Sequence, residues 1–308
     1  MQTVLITGGT GLVGRSLTKA LLQKGYKVII LTRNISVKHT PENISYARWD
    51  IKKQEIDITA IQKADIIIHL AGAGVVDKKW TAAYKKEIVD SRIQSSHLIL
   101  EALKNNENKV KVIVSASAMG WYGADTDTGK PFTETASSDH GFLGKTCKLW
   151  EESIEPVVKL DKRLVKLRIG IVLSNEGGAL PEFKKSIRFG LAAILGNGKQ
   201  MVSWIHIEDL CRLFIYAIEN ENLQGSYNAV APQPVTNKIL TVMLAKKMNG
   251  NFYIPVYVPA FLLKLMMGQR SIEVLKSATV SCQKITDAGF TFNFKNIDTA
   301  LTDLTKNK

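Results

Sequence analysis

Residues 6–14 read ITGGTGLVG. Gly8, Gly9, Gly11 and Gly14 fall within seven positions, and each costs chain entropy on folding. The stretch is preceded by a short apolar run, VLIT (4–7), and followed by RSLTKALLQKG. In that second segment Leu17, Ala20 and Leu21, with the preceding Val13, recur at helical spacing, and Gly25 is placed to end the helix. KVIILTR (27–33) then reads as a second buried strand. Strand, glycine turn, helix and strand within about thirty residues make a βαβ unit.

The turn therefore sits where Gly9-x-Gly11-x-x-Gly14 carries chemistry. One glycine permits the tight turn, another lets a pyrophosphate reach the backbone, and the last lets helix and strand pack closely. Backbone N–H groups across Gly8, Gly9, Thr10, Gly11, Leu12, Val13 and Gly14 would meet the phosphate charge at the helix start. At the end of the second strand, where NAD-binding proteins place a carboxylate for the ribose diol, stand Thr32 and Arg33. A guanidinium there pairs with a 2′-phosphate and a hydroxyl adds to it, so NADP is expected over NAD.

The alternation continues. ADIIIHLAG (64–72) reads as a strand, 80–104 as a helix, KVIVSASAMGWYG (111–123) as a strand that breaks into small and aromatic residues, 141–156 as a helix and 163–174 as one strand. From about residue 175 the rhythm changes to glycine-punctuated connections, short strands and helices. The expected fold is α/β: a Rossmann-type, mostly parallel sheet with helices on both faces, plus a smaller interleaved C-terminal α/β part. The core would take 1–175 with returning segments at 200–230, and the substrate-side part 176–199 and 231–308. FLLKLMM (261–267) is expected to be core, with a partner- or membrane-facing surface as the alternative.

Composition bounds the function. With 41 basic and 28 acidic residues the formal charge is +13. No compact basic run with interleaved aromatics and no zinc-finger spacing occurs, so nucleic acid is not an expected partner. Cys147, Cys211 and Cys282 are spaced as neither a disulfide framework nor a metal knuckle, which fits a reducing, cytoplasmic setting, and no metal is expected. No apolar stretch reaches about 18 residues, so a membrane is not expected as a partner either. Gly144-Lys145-Thr146 imitates the end of a Walker A loop, but the glycine required five residues earlier is Asp139. A small-molecule substrate is the expected partner, and oligomeric state is open.

Taken in order, GGTGLVG (8–14), LTR (31–33), HLAGAGV (69–75), KKWT (78–81), SRI (91–93), SASAMGWYG (115–123), FLGKTCKLWE (142–151), SWIHIEDL (203–210) and APQPVTN (231–237) resemble the extended short-chain dehydrogenase/reductase superfamily. The resemblance is closest to its epimerase-like subgroup and covers nearly the whole chain. It implies an NAD(P)-binding core with Asp50 near the adenine, Leu70, Ala71 and Gly72 lining the cofactor, and Ser115 and Ser117 beside the nicotinamide. Ser117 matches the hydroxyl that assists the catalytic tyrosine of working members, and Glu134 matches a carboxylate after the strand-end loop. The family's Tyr-x-x-x-Lys pair is missing. Counting back from Glu151, its positions hold Leu143 and Cys147. Tyr122 is the best replacement acid, with an aromatic pocket wall as the plainer reading. Cys147 reads as buried and inert rather than as a thiolate. Arg168 anchors the strand-end loop or an acidic ligand, His206 is structural or catalytic, and Glu208 and Asp209 cap the following helix. The activity expected is NADP-dependent oxidoreduction of a small organic substrate. Nucleotide-sugar epimerisation or dehydration and NADP sensing without turnover are the alternatives.

Overall fold

The computed structural model describes residues 1–35, 42–126 and 129–306. The chain runs β1 (Thr3–Thr7), α1 (Leu12–Gln23), β2 (Lys27–Thr32), β3 (Ile44–Asp50), β4 (Glu55–Ile56), α2 (Ile58–Lys63), β5 (Ile66–His69), α3 (Ala82–Asn105), β6 (Val112–Ala118), α4 (Phe142–Ile154) and β7 (Arg163–Ile169). It continues with β8 (Ile171–Ser174), β9 (Gly177–Gly178), α5 (Ala179–Ile187), β10 (Leu191–Leu195), β11 (Met201–Val202), β12 (Trp204–His206), α6 (Ile207–Glu219) and β13 (Gly225–Ala229). β14 (Val235–Thr236), α7 (Asn237–Asn249), β15 (Ile254–Val258), α8 (Ala260–Met267), α9 (Ser271–Leu275), α10 (Gln283–Asp287) and α11 (Ile297–Thr305) complete it.

The main sheet has the order β13-β7-β6-β5-β1-β2-β3-β4 and is parallel except where β4 folds back on β3. Strand order reverses between β1 and β5, which opens a crevice beyond their C-terminal ends. β1, β2 and β5 are near-continuous apolar runs, and β6 is buried along all but its last residue, because helices cover both faces. One core cluster joins Val4, Ile6 and Val114 to α6 and to Val280, Ile285 and Phe290 from the C-terminal part. A second, around Leu5, Ile67 and Ile113, lies on the opposite face, and a third under α5, α7 and α11 supports the smaller part.

Three details differ from expectation. The run 163–174 is two strands, because a Cβ at Gly170 would lie 2.6 Å from Ser203 O and 2.7 Å from Val230 Cγ1. β7 stays in the main sheet while β8 leaves to pair with β12 and β9. β3, whose ISYARWD alternates around a half-covered surface, is an additional strand. The 261–267 segment is not core: among its large side chains only Leu263 is buried, and Phe261 is 72% and Leu265 80% exposed. α8 packs against the short helical segments that follow it, and most of its residues are exposed.

Candidate functional site

The glycine turn is shaped by three separate contacts. Gly8 has φ +68°, and a Cβ there would meet Leu70 C and O at 3.0 Å. A Cβ on Gly9 would lie 2.8 Å from Ile30 Cγ2, and one on Gly14 would lie 2.5 Å from both Gly8 O and Gly9 Cα. Gly11 is the N-cap of α1 and offers no side-chain acceptor to the first turn. The N–H groups from Leu12 to Gly14 are thus left to an outside anion. Thr10 and Gly11 are exposed, and Leu12 and Val13 half-buried, beside the crevice at the sheet's reversal.

Across that crevice, Leu70 and Ala71 donate their N–H groups to Thr7 Oγ1 at 3.1 and 3.2 Å. Thr7 Oγ1 lies 2.8 Å from His69 Nδ1, which leaves the Nε2 proton for Ser96 (3.2 Å) or Ser95 (3.3 Å). Burial, reinforced by nearby Arg92, pushes His69 down to about 3, so it is a neutral strut behind the loop. Gly72 faces Arg92: a Cβ there would lie 3.1 Å from Arg92 Cζ. Arg92 donates to Ala73 O and Ile88 O, stacks over Trp150 at 4.9 Å, and has no acid partner among the described residues. Burial lowers its pKa. Sequence reasoning passed over Arg92. The available signal was SRI (91–93), together with a helical register that sets Arg92 with Ile88, Ser95 and Ser96 on the buried face of α3.

At the outer end, Arg33 is exposed with no acid partner among the described residues. Thr32 Oγ1 is held in its own turn by Asn34 N and O. Asp50 Oδ1 accepts from Lys52 N and Lys53 N, capping the turn after β3. Two further arginines stand here that the sequence reading did not select. Arg48 is in register with Thr32 on the neighbouring strand. Arg15 Nη1 donates to Thr10 O over the glycine turn.

The expected proton-handling residues are not brought to a cleft wall. Ser117 is buried and its Oγ donates to Glu151 Oε1 at 2.7 Å. Tyr122 is fully buried, stacks on Phe132, donates to Asn228 Oδ1 at 2.6 Å and accepts from Arg168 Nη1 at 3.1 Å. Burial raises its pKa further from neutrality. Ser115 is buried too, with Oγ donating to Ala116 O. Arg168, expected at a ligand or as a loop anchor, is the anchor. It gives Nε and Nη2 to Glu151 (2.8 and 3.1 Å), gives Nη1 to Glu134 O, and stacks on Trp121 at 3.7 Å. Glu134 Oε1 accepts Asn228 N. All of this follows from register: Ser117, Arg168 and Asn228 are direct partners across β6, β7 and β13, with α4 laying Glu151 over them.

Leu143 and Cys147 do face the end of β6. A Cβ on Gly120 would lie 3.3 Å from Leu143 Cβ and 3.4 Å from Cys147 Sγ. Burial pushes the Cys147 thiol up to about 12, with Arg92 opposing it only in part. This side of the site therefore presents hydrocarbon and a protonated thiol. His206 is the N-cap of α6: Nδ1 accepts Glu208 N, and the ring stacks on Phe294 at 3.8 Å. The cap is thus His206 and not Glu208 or Asp209: Asp209 ties down Asn293 N and Phe294 N, and Glu208 accepts from Asn293 Nδ2, so the two clasp the C-terminal segment. Among the described residues no group of His, Cys, Asp and Glu could hold a metal ion, and no helix is long and apolar enough to cross a membrane.

Sheet order, glycine turn and crevice together define a Rossmann-type nucleotide-binding fold. Comparison with known proteins gives the family. The NAD dependent epimerase/dehydratase family matches residues 4–145, and a domain of unknown function, DUF1731, matches residues 258–304. Epimerase family protein SSP1921 of Staphylococcus saprophyticus is 36% identical over 305 residues, 99% of each chain. Epimerase family protein SAR0825 of Staphylococcus aureus is also 36% identical over 305 residues, again 99% of each. Among solved structures, human epimerase family protein SDR39U1 (isoform 2) with NADPH superposes with TM-score 0.86 over the whole of both chains at 24% identity. A nucleoside-diphosphate sugar epimerase from Corynebacterium glutamicum superposes with TM-score 0.77 at 29% identity, covering 99% of this chain and 58% of that one. The chain belongs to the epimerase family of NAD(P)-dependent epimerase/dehydratase proteins.

Proposed function

We propose that the chain binds NADP in preference to NAD and moves a hydride to or from a small organic substrate without a protein acid at the family's tyrosine position. One observation carries this reading: the glycine turn has the tight geometry a dinucleotide needs, while the two positions matched to the family's proton-handling pair are Leu143 and buried Cys147. Gly8, Gly9 and Gly14 stand where a Cβ would collide with Leu70, Ile30 and the turn's own backbone, which keeps the turn tight enough for a pyrophosphate to reach its N–H groups. Arg33 and Arg48 at the ends of β2 and β3 supply two guanidinium groups for a 2′-phosphate, and Asp50 is engaged in its own turn. When bound, NADPH would supply the hydride to a substrate being reduced, and NADP+ would accept it from one being oxidised. The chain's part is to hold the ring between Leu70–Gly72 and the end of β6, and to keep that space apolar. A substrate protonated directly by water suits such a site.

A second reading, nucleotide-sugar epimerisation or dehydration, is favoured by family membership and by the similarity to a nucleoside-diphosphate sugar epimerase. It demands proton removal and return at the sugar, which Leu143 cannot perform. Fluorescence titrations with NADPH and NADH come first. Arg33→Ala is expected to weaken NADPH about tenfold through the lost charge-assisted pair while leaving NADH unchanged. Equal weakening of both, or tighter binding of NADH by the parent protein, sinks the NADP assignment. Next, the protein is incubated with NADPH and a panel of carbonyl compounds, and separately with NAD and nucleoside-diphosphate sugars. Epimerised sugar seen by NMR, without net NADPH oxidation in the first arm, would replace the main reading with the second.

A further inference from the structure

We propose that the β10–β15–α8 face of the smaller part is a docking surface for an anionic lipid bilayer. The two strands form a separate parallel pair, with Leu191 opposite Ile254 and Ala193 opposite Val256. Their inner positions, Ala192 and Ile194, pack into the third core cluster or beside it with no exposure, whereas Ile254 and Val256 point outward. Just before the paired strands, Phe189 is 84% and Phe252 88% exposed, and α8 adds Phe261, Leu265 and Met266. Large apolar side chains this exposed, drawn from two paired strands and the helix that follows the second, are more than the scattered surface residues of an ordinary monomer.

Charge selects the occupant. From Glu182 to Glu208 the chain has four basic residues and no acid between them; from Glu221 to Glu273 it has five and none. No acid therefore lies in β10, β15, α8 or the segments that flank them, while Arg188 stands just before β10 and Lys264 on α8, in a chain whose formal net charge is +13. Lys185 and Lys247 reach acids at Glu182 and Asp298. Arg188, Lys199, Lys238, Lys246 and Lys264 have no acid partner among the described residues. A second copy docking face to face would set Arg188 and Lys264 against cations of the same kind. Strand addition is hindered as well. Ile254 donates to Gly190 O on the β10 side, so the backbone of Pro255 turns to the open edge, where it has no N–H to give. Aromatic and aliphatic side chains projecting from a cationic surface match the interface of a bilayer with anionic headgroups. This is adsorption, not spanning, and so departs from the expectation that a membrane is no partner at all. Arg270 Nη1 donates to Val76 O in the loop that follows β5, which sets the patch beside the mouth of the cofactor crevice.

The test is co-sedimentation of the full chain with vesicles of phosphatidylcholine alone and of phosphatidylcholine with phosphatidylglycerol in equal parts. Binding is expected only to the anionic vesicles and should weaken as salt rises. Phe261→Ser/Leu265→Ser and Lys246→Glu/Lys264→Glu are each expected to reduce it about tenfold, with NADPH titration reporting that both variants remain folded. No pelleting with anionic vesicles, or equal pelleting of all three proteins, overturns the proposal. So does a dimer in light scattering that Phe261→Ser/Leu265→Ser dissolves while vesicles are ignored, which would assign the face to a second copy. Binding to a nucleic-acid duplex that the charge reversal abolishes and the serine variant leaves intact, with no vesicle binding, also overturns it.

Discussion

Glu151 accepts from Ser117 and Arg168 through one oxygen and from Arg168 and Ser226 through the other, and Lys166 stands 3.8 Å away. It is the only acid among those buried partners, so its loss leaves Arg168 charged with no carboxylate inside the protein. Burial alone would lower the Arg168 pKa, and the bonds from Glu151 and Tyr122 reverse that and raise it. Glu151→Ala should therefore cost about 3–5 kcal/mol in unfolding free energy. A loss below about 1 kcal/mol in urea titrations would show that water reaches this site and the bridge is incidental. His69 gives a pH signature. Its folded pKa of about 3 lies below the usual 6.5, so between those values the unfolded chain binds a proton that the folded one refuses. Its contribution is complete above pH 6.5 and is lost as pH falls, at about 1.4 kcal/mol per unit inside the window. His206 is shifted the same way by burial. Comparing wild type with His69→Gln from about pH 6 to about pH 4.5 should show a shallower fall for the variant. Parallel slopes would mean His69 is hydrated and titrates normally.

Helices and strands were readable wherever one short window held the cause. β1, β2 and β5 are apolar runs closed by glycine or polar residues, and α1 carries its own stripe of Leu17 and Leu21. The break between β7 and β8 was not readable, because Gly170 is required by Ser203 and Val230, which approach only after the chain has folded. The same logic hid Arg92, whose meaning depends on Gly72 twenty residues earlier, and the burial of Tyr122, which depends on Asn228 more than a hundred residues later. The glycine turn, by contrast, was legible because its constraints lie within one βαβ unit. Gly170→Ala tests the case that was missed. The added methyl must push against backbone at Ser203, so a cost of about 1–3 kcal/mol is expected, with β12 displaced and His206 with it. Thermal unfolding gives the magnitude, and an unchanged midpoint would mean the strand break has another cause.

The two parts of the molecule are sewn together rather than joined end to end. Asp125 accepts from Ser277 Oγ, Thr279 N and Thr279 Oγ1, Ser203 bridges Ala278 O and Val280 N, and Asp209 holds residues 293 and 294. Val280, Ile285, Phe290 and Phe292 share a cluster with Val4, Ile6 and Val114 of the central strands. The last fifty residues thus complete the core of the first hundred. This coupling predicts one cooperative transition for the whole chain. Tryptophan fluorescence, reporting on Trp121, Trp150 and Trp204 from different regions, should coincide with far-UV circular dichroism through a urea titration. It also predicts that a chain ending at residue 257 will not form a native core, because removing those four side chains strips apolar cover from the strands that carry the glycine turn. The truncated protein should bind a hydrophobic dye, lack a cooperative transition and fail to bind NADPH. A truncated chain that unfolds cooperatively and binds NADPH as tightly as the full protein would show that residues 258–308 are an appendage, and that the contacts from Asp125, Ser203 and Asp209 join two bodies able to fold apart.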